Sequence, residues 1–420
     1  VSRISGFVKV AAFAAFYGRS AEADMFLAVM LLPDLLYRFL SEGLVSSASV
    51  PLFVELREKS EKLEEALTTI FFIALAASGL VALLLILNAR VCCEFFTPGF
   101  GRNNLERMTW LWKIISLYLV SGTLSGVLTS FLNARNIFAL PAVGPLLVNA
   151  AIISGILIVQ GGAVEKIALA VVAGSFLQLG WLIFLIKKEG YNLAIFAFKK
   201  FRSQIALKFL KSVFPVAAWI SVLPFIPIYE RYLLSMEPVG SVAALNYIEK
   251  LFNLPLGILS ISLARVILPE LSRLEGNNRQ KFLLKTLSLA TLVIVPVVFV
   301  ANIFSESIVA IVFKRGSFSQ ADTAVAAGLF ASYSYALLPT TLCMLLNRGF
   351  FAARRYFIPF FAGLTAAGTQ FYLGRTLVDK YGVRGIGYAA AAAFSVQLVV
   401  LLIAEYKGTL QTNKDLSVTG

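Results

Sequence analysis

Charged side chains lying inside otherwise apolar stretches are the groups in this sequence with chemistry to perform. The cations are Arg3, Lys9, Arg38, Lys113, Lys211, Arg231, Lys250, Arg265 and Arg375; the acids are Asp24, Asp34, Glu42, Glu230 and Glu249. Lys113, Lys211 and Arg375 lie near the ends of their stretches and can snorkel to an interface. The others cannot, and a Lys or Arg at mid-bilayer costs about 2.5–3.5 kcal/mol even on the lenient insertion scale. Such residues must face protein, water or a charged ligand. Asp34, Arg38 and Glu42 are spaced four apart, which stacks them on one helix face and allows Arg38 to be neutralised there. Glu230-Arg231 and Glu249-Lys250 are sequence neighbours, about 100° apart on a helix, so each needs a partner elsewhere. Arg3 and Lys9 have no acid within one turn. Two readings fit this set. One is ion pairing between helices. The other is a cavity with a cationic lining that attracts an anion, for which phosphate suits guanidinium forks and Lys point charges.

Other chemistry is excluded by residue counts. The chain has no His, which removes His-based triads, His zinc sites and imidazole proton relays. Three Cys cannot build a disulfide framework. Cys92 and Cys93 are expected in a loop and Cys343 in a helix, all as small apolar fillers. No cofactor is expected, and the metal question stays open. The net charge of +14 suits loops facing anionic lipid and does not require nucleic acid.

The elements that position these groups are membrane helices. Of 420 residues, 59% are hydrophobic and 14% charged, against about 45–50% and about 25% for a soluble chain. A span needs about 20 apolar residues. Twelve stretches qualify, roughly 1–18, 23–48, 66–88, 109–133, 138–160, 165–186, 208–234, 240–268, 283–304, 321–350, 356–378 and 383–406. They are too long, and lack the alternation, for barrel strands. The fold class expected is therefore an all-α polytopic membrane protein, with about twelve transmembrane helices in two pseudo-symmetric six-helix bundles around a central cavity.

Loop cations orient it. The connections after the even-numbered stretches, with the tail, carry nineteen Lys and Arg against nine on the other side. Both termini are then expected in the cytoplasm. The chain begins at Val1 inside an apolar stretch, which suggests a trimmed N-terminus, and no cleavable signal peptide is visible. The midpoint segment Leu193–Ile205 mixes Phe and Leu with Lys199, Lys200 and Arg202, the pattern of an amphipathic helix on the inner leaflet or of a basic loop. The division expected is an N-terminal bundle (1–190), this linker (191–207), a C-terminal bundle (208–406) and a polar, frayed tail (407–420). An internal repeat supports the two halves. Pro51 with Glu55-Leu56 echoes Pro269-Glu270-Leu271, Phe95 and Phe100 echo Phe313 and Phe318, and Ala134-Arg135-x-x-Phe138 echoes Ala353-Arg354-x-x-Phe357. An even number of helices per half gives the halves the same topology. Prolines within the stretches, among them Pro33 and Pro339, suggest kinks.

Several segments resemble the MurJ (MviN) family of lipid II flippases, within the multidrug/oligosaccharidyl-lipid/polysaccharide exporter superfamily. They are Ser2-Arg3-Ile4-Ser5-Gly6-Phe7-Val8-Lys9; Ala23-Asp24-x-Phe26 running on to Leu32-Pro33-Asp34-Leu35-Leu36-Tyr37-Arg38-x-x-x-Glu42-Gly43; Pro98-Gly99-Phe100; Asn133-Ala134-Arg135 through Pro141, Ala142, Pro145 and Asn149; and Phe313-Lys314-Arg315-Gly316-x-Phe318. The resemblance implies alternating access and transfer of an undecaprenyl-diphosphate-linked peptidoglycan precursor, lipid II, to the outer leaflet of the bacterial inner membrane. It also implies that Arg3, Lys9 and Lys250 hold the diphosphate, with Glu42 and Asp24 as acidic partners; Arg38 and Arg265 join the candidate set. Glu230 matches the helix 7 acid of a sodium site found in some members, so sodium or the membrane potential could reset the carrier, though no acid partner is evident on helix 11. Where the family has Arg-Asp this chain has Lys9-Val10, and Tyr37 and Lys250 stand where the family has Arg. The family has fourteen helices and twelve are visible here.

The partners expected are thus lipid II and anionic inner-leaflet lipids, with no nucleic acid and a monomeric chain. Another polyprenyl-linked glycan, or a non-transporting scaffold of the same fold, are the alternatives. A scaffold would not need unpaired mid-membrane cations. An exporter of cationic drugs would want acids where this chain has an excess of cations. An intramembrane enzyme would need metal-binding acids or a nucleophile–base pair, and neither is visible.

Overall fold

The computed structural model describes residues 2–58, 63–191, 202–220, 225–274, 276–353, 355 and 357–418. Among them every regular element is helical, and the chain divides into two compact units, Val1–Pro224 and Phe225–Gly420.

The first unit runs α1 (Ser2–Tyr17), α2 (Ala21–Tyr37), a π-helical segment Arg38–Val45, α3 (Ser46–Glu58), α4 (Leu63–Leu87), α5 (Ala89–Phe96), α6 (Gly101–Ala134), α7 (Gly144–Val159), α8 (Val164–Lys188) and α9 (Ser203–Ile220). The second runs α10 (Phe225–Ser235), α11 (Ser241–Arg273), α12 (Gly276–Ile303), α13 (Ser305–Phe313), α14 (Gln320–Ser334), α15 (Leu337–Ala352), α16 (Phe357–Tyr381) and α17 (Arg384–Val418). Local signals start these helices. The Ser20 hydroxyl accepts from the Ala23 N–H at 3.2 Å, with Glu22 and Asp24 in the first turn of α2. Ser319 and Asp322 form a reciprocal capping box at α14.

Six described helices are long and apolar enough to cross a membrane: 63–87, 104–134, 141–159, 164–188, 280–303 and 384–407. The pair 320–334 and 337–351, bent by 44°, makes a seventh candidate. Pro339 lies just past that bend, and its missing N–H accounts for the break. The other expected stretches are helical too, but interrupted, shorter or more polar: α1 has 16 residues, α2 passes into the π segment, and 208–234 falls on α9 and α10 either side of residues outside the description. On 63–87 only 28% of the most apolar window is buried. Leu83, Leu84 and Leu87 face outward, as do Phe176 and Phe184 on α8, which is what hydrocarbon solvates.

In lipid there is no hydrophobic drive between helices, so close packing must hold them. Gly155 on α7 faces Ala170, and Gly174 on α8 faces Ala151; a Cβ at either would come within 2.7 or 2.8 Å of the opposing methyl. The first unit's core lies between α3, α4, α6 and α8, with Phe53 edge-on to Phe131 at 5.2 Å among Leu67, Ile70, Leu128 and Leu182.

The repeat appears as a shared element order. Long helix, short helix, turn and further helix recur as α4–α5–α6 and α12–α13–α14, the last continuing past a 44° bend into α15. The short helices end at Phe96 and Phe313, which makes Phe96 the positional counterpart of Phe313. Phe95 is 68% exposed where Phe313 is buried.

Three local expectations change. Cys92 and Cys93 sit in α5, not in a loop. α6 begins at Gly101, ahead of the expected 109. α17 continues helical to Val418 through the tail expected to fray, a stretch that contains no Pro. Residues 192–201, most of the expected amphipathic linker, lie outside the described residues. α9, placed by sequence with the C-terminal bundle, packs in the first unit against α3 and α4.

Candidate functional site

The buried ionic chemistry of the second unit gathers where α10, α11, α14 and α16 meet. Glu230 is 1% exposed and Arg231 3% exposed. As neighbours on one helix they diverge. Arg231 turns to α11, where its Nη1 donates to Glu249 Oε1 at 2.7 Å and its Nη2 to Glu249 Oε2. Glu230 turns the other way: Tyr333 on α14 donates its hydroxyl to Oε1 at 3.2 Å, and Gln370 on α16 donates Nε2 to the same oxygen at 3.0 Å. The two acid–base neighbours stay loosely coupled, Arg231 Nη1 lying 3.9 Å from Glu230 Oε2. Ion pairing between helices, one of the two readings of these charges, thus accounts for Arg231 and Glu249. A buried pair of this kind roughly balances its own desolvation, yet breaking it from one side leaves a bare charge.

Sequence reasoning found Glu230 but missed its two neutral partners. Gln370 lies on the eleventh apolar stretch, where no acid partner for Glu230 is evident in the sequence. Its Oε1 is buried with no hydrogen-bond partner among the described residues. Neither residue carries a charge, so neither gave a signal in a reading built on the cost of burying charge. No group of three or more His, Cys, Asp or Glu placed to hold a metal exists among the described residues.

The other expected site charges are divided between the two units. Lys9 is part-buried on α1 and Asp24 is 4% exposed near the start of α2. In the second unit, Lys250 is part-buried beside Glu249 on α11. Arg3 and Arg265 lie on α1 and α11, and Glu42 in the π segment, with their side chains outside the description. Arg38 is exposed and pairs with Asp34 at 3.1 Å, the local neutralisation that the spacing allowed. Glu42 falls in the π segment, where the backbone bonds i to i+5, as in Ser46 N–H to the Ser41 carbonyl. Tyr37 cannot stand in for the family's cation. Its ring packs on Gly122, where a Cβ would fall 2.5 Å away, and lies 5.1 Å from the Tyr118 ring. Gly126, one turn on, leaves room for Ser41 in the same way.

Beside this contact the first unit holds a cavity of about 450 Å³. Its wall includes Tyr37, Ser41, Thr129, Asn133, Phe138 and Gln178, and it reaches Pro141, Ala142 and Pro145 of the fourth family-like segment. That segment is held by Ile137 N–H to the Leu132 carbonyl at 3.0 Å and by Trp181 Nε1 to the Leu140 carbonyl at 3.0 Å. Toward the other end of α6, Arg107 joins three helices: Nε donates to Glu165 Oε1 at 2.7 Å, and Nη1 and Nη2 to Glu22 at 2.6 and 2.9 Å.

Known proteins share this chain's sequence pattern and fold. The profile of the family described as lipid II flippase MurJ matches residues 13–418. A relative from Borreliella burgdorferi, named "Probable lipid II flippase MurJ", is 28% identical over 408 residues, covering 95% of this chain and 79% of its own length. A Thermotoga maritima protein of the same name is 26% identical, covering 96% and 82%. Among solved structures, "Lipid II flippase MurJ, inward closed conformation" superposes with TM-score 0.80 at 23% identity, over 96% of this chain and 86% of that one. An inward-facing multidrug resistance MATE family transporter of the MOP superfamily superposes at 0.74 with 9% identity, over 99% and 96%. By a profile match that spans nearly its whole length, this chain belongs to the MurJ family of lipid II flippases.

Proposed function

We propose that this protein moves lipid II, the undecaprenyl-diphosphate-linked peptidoglycan precursor, from the inner to the outer leaflet of a bacterial inner membrane. It works by alternating access and without covalent chemistry, as a monomer with both termini in the cytoplasm. The observation that carries this reading is the family match over residues 13–418. The Arg3, Lys9, Lys250 and Arg265 positions supply the charge that meets the diphosphate, while the polyprenyl tail stays in lipid. Arg38, engaged by Asp34, contributes less. Anionic lipids of the inner leaflet face the cation-rich loops. Glu230, with the oxygens of Tyr333 and Gln370 beside it, is the candidate for coupling to an ion gradient or to the membrane potential.

One observation favours a second reading, a different polyprenyl-linked glycan. Tyr37 stands at a family cation position and is packed into α6, so the cationic set differs from the family's pattern. Complementation decides on the first reading. The wild-type gene is expected to rescue a strain depleted of its own lipid II flippase, and the Arg3→Ala/Lys250→Ala variant to insert normally and fail. Full rescue by that variant contradicts the assigned charge roles; failure by a well-expressed wild type contradicts the substrate.

A further inference from the structure

The cavity of the first unit differs in kind from the cationic positions. Its lining carries no Lys, Arg, Asp or Glu among the described residues. It does carry Ser41, Ser46, Thr129, Asn133 and Gln178, none of which hydrogen-bonds through its side chain to another described residue. Their donors and acceptors line one space. Two aromatic rings share the wall, Tyr37 and the 60%-exposed Phe138.

These features select a ligand class. A diphosphate would find no cation among the described wall residues, and a polyprenyl chain would strand five polar groups without partners. A sugar ring offers hydroxyl and amide groups to the polar side chains and an apolar C–H face to an aromatic ring. The volume of about 450 Å³ falls in the range of small-molecule sites. The wall is preorganised as well. The Trp181 and Ile137 hydrogen bonds fix the 137–141 segment, and Gly126 lets Ser41 approach α6.

We propose that this cavity is a subsite for an uncharged sugar unit of the lipid-linked glycan. The proposal rests on the flippase reading and deepens it.

The test measures binding of the full-length purified protein to three ligands: lipid II, undecaprenyl diphosphate without a glycan, and undecaprenyl diphosphate carrying a different oligosaccharide. The Asn133→Ala/Gln178→Ala variant changes two part-buried wall residues; because Gln178 also packs on Gly144 of α7, its melting temperature is measured beside binding. Loss of two neutral hydrogen bonds is expected to weaken glycolipid binding about tenfold, with binding of the bare diphosphate unchanged. Equal losses for all three ligands, or no loss for any, overturn the subsite, the latter marking the cavity as a hydrated packing gap. A wild type that binds glycolipid no tighter than the bare diphosphate overturns it too. A wild type that prefers the other oligosaccharide, with the variant losing that preference, keeps the subsite and overturns lipid II as the substrate.

Discussion

Arg231 and Glu249 face each other across α10 and α11 as a two-pronged ion pair, with Arg231 3% exposed. The two residues are 18 positions apart, and each has a sequence neighbour of opposite charge that it does not use as its main partner.

That geometry predicts an asymmetric mutational response. Arg231→Met alone leaves Glu249 charged without its partner and should destabilise the protein by about 3–5 kcal/mol, as breaking a buried pair from one side does. Arg231→Met with Glu249→Leu should recover most of the loss. Thermal unfolding in detergent, followed by monodispersity on size exclusion, reads both. Equal melting points for the single and double variants would show that the pair carries no such coupling.

Glu230 accepts two neutral hydrogen bonds at one oxygen, and an amide at that position keeps a carbonyl acceptor. Glu230→Gln should therefore fold with a melting temperature within a few degrees of wild type. Its transport should lose the dependence on an imposed sodium or proton gradient. Gradient dependence that survives in the variant would remove Glu230 from any coupling role.

How much of this was legible in the sequence follows from what each feature costs. The twelve apolar stretches were visible because lipid demands them, and every one contains helix. The burial of Arg231 demanded a partner, although one sequence cannot say which acid on which helix supplies it. The π segment at Arg38–Val45 has no residue signature, since a shift from i+4 to i+5 bonding changes phase and not composition. The short helices α5 and α13 fall between the apolar stretches, because eight or nine residues are too few to show a span. Tyr333, Gln370 and the cavity's Ser, Thr, Asn and Gln are uncharged, so burying them sends no warning at the level of composition.

Close packing of the π segment on α6 can be tested at Gly126. A Cβ there would lie 2.0 Å from Ser41 Oγ and 2.9 Å from Ser41 Cβ. Gly126→Ala should destabilise by about 1–3 kcal/mol, the usual cost of overpacking. Adding Ser41→Gly removes the clashing atoms and should restore the melting point. A Gly126→Ala variant as stable as wild type would contradict the close contact.

The cysteines make a sharper chemical prediction. Burial pushes the Cys93 thiol up to about 12 and raises Cys92 as well. At pH 8 the Cys93 thiolate is then a minor species. Maleimide should label native protein slowly and at Cys92, with Cys93 protected until denaturation; mass spectrometry of the tryptic peptide resolves the two. Complete labelling of native Cys93 within minutes at pH 8 would place it outside the buried side of α5.

Lipid II translocation in proteoliposomes tests the central claim most directly. Lipid II is loaded in both leaflets, and its arrival in the outer leaflet is followed with a membrane-impermeant reagent that modifies the exposed headgroup. The account predicts transfer by the wild type well above that of empty vesicles, and a loss of at least tenfold in Arg3→Ala/Lys250→Ala at equal incorporation. Wild-type transfer no faster than empty vesicles, in a preparation that is folded and correctly inserted, would contradict it.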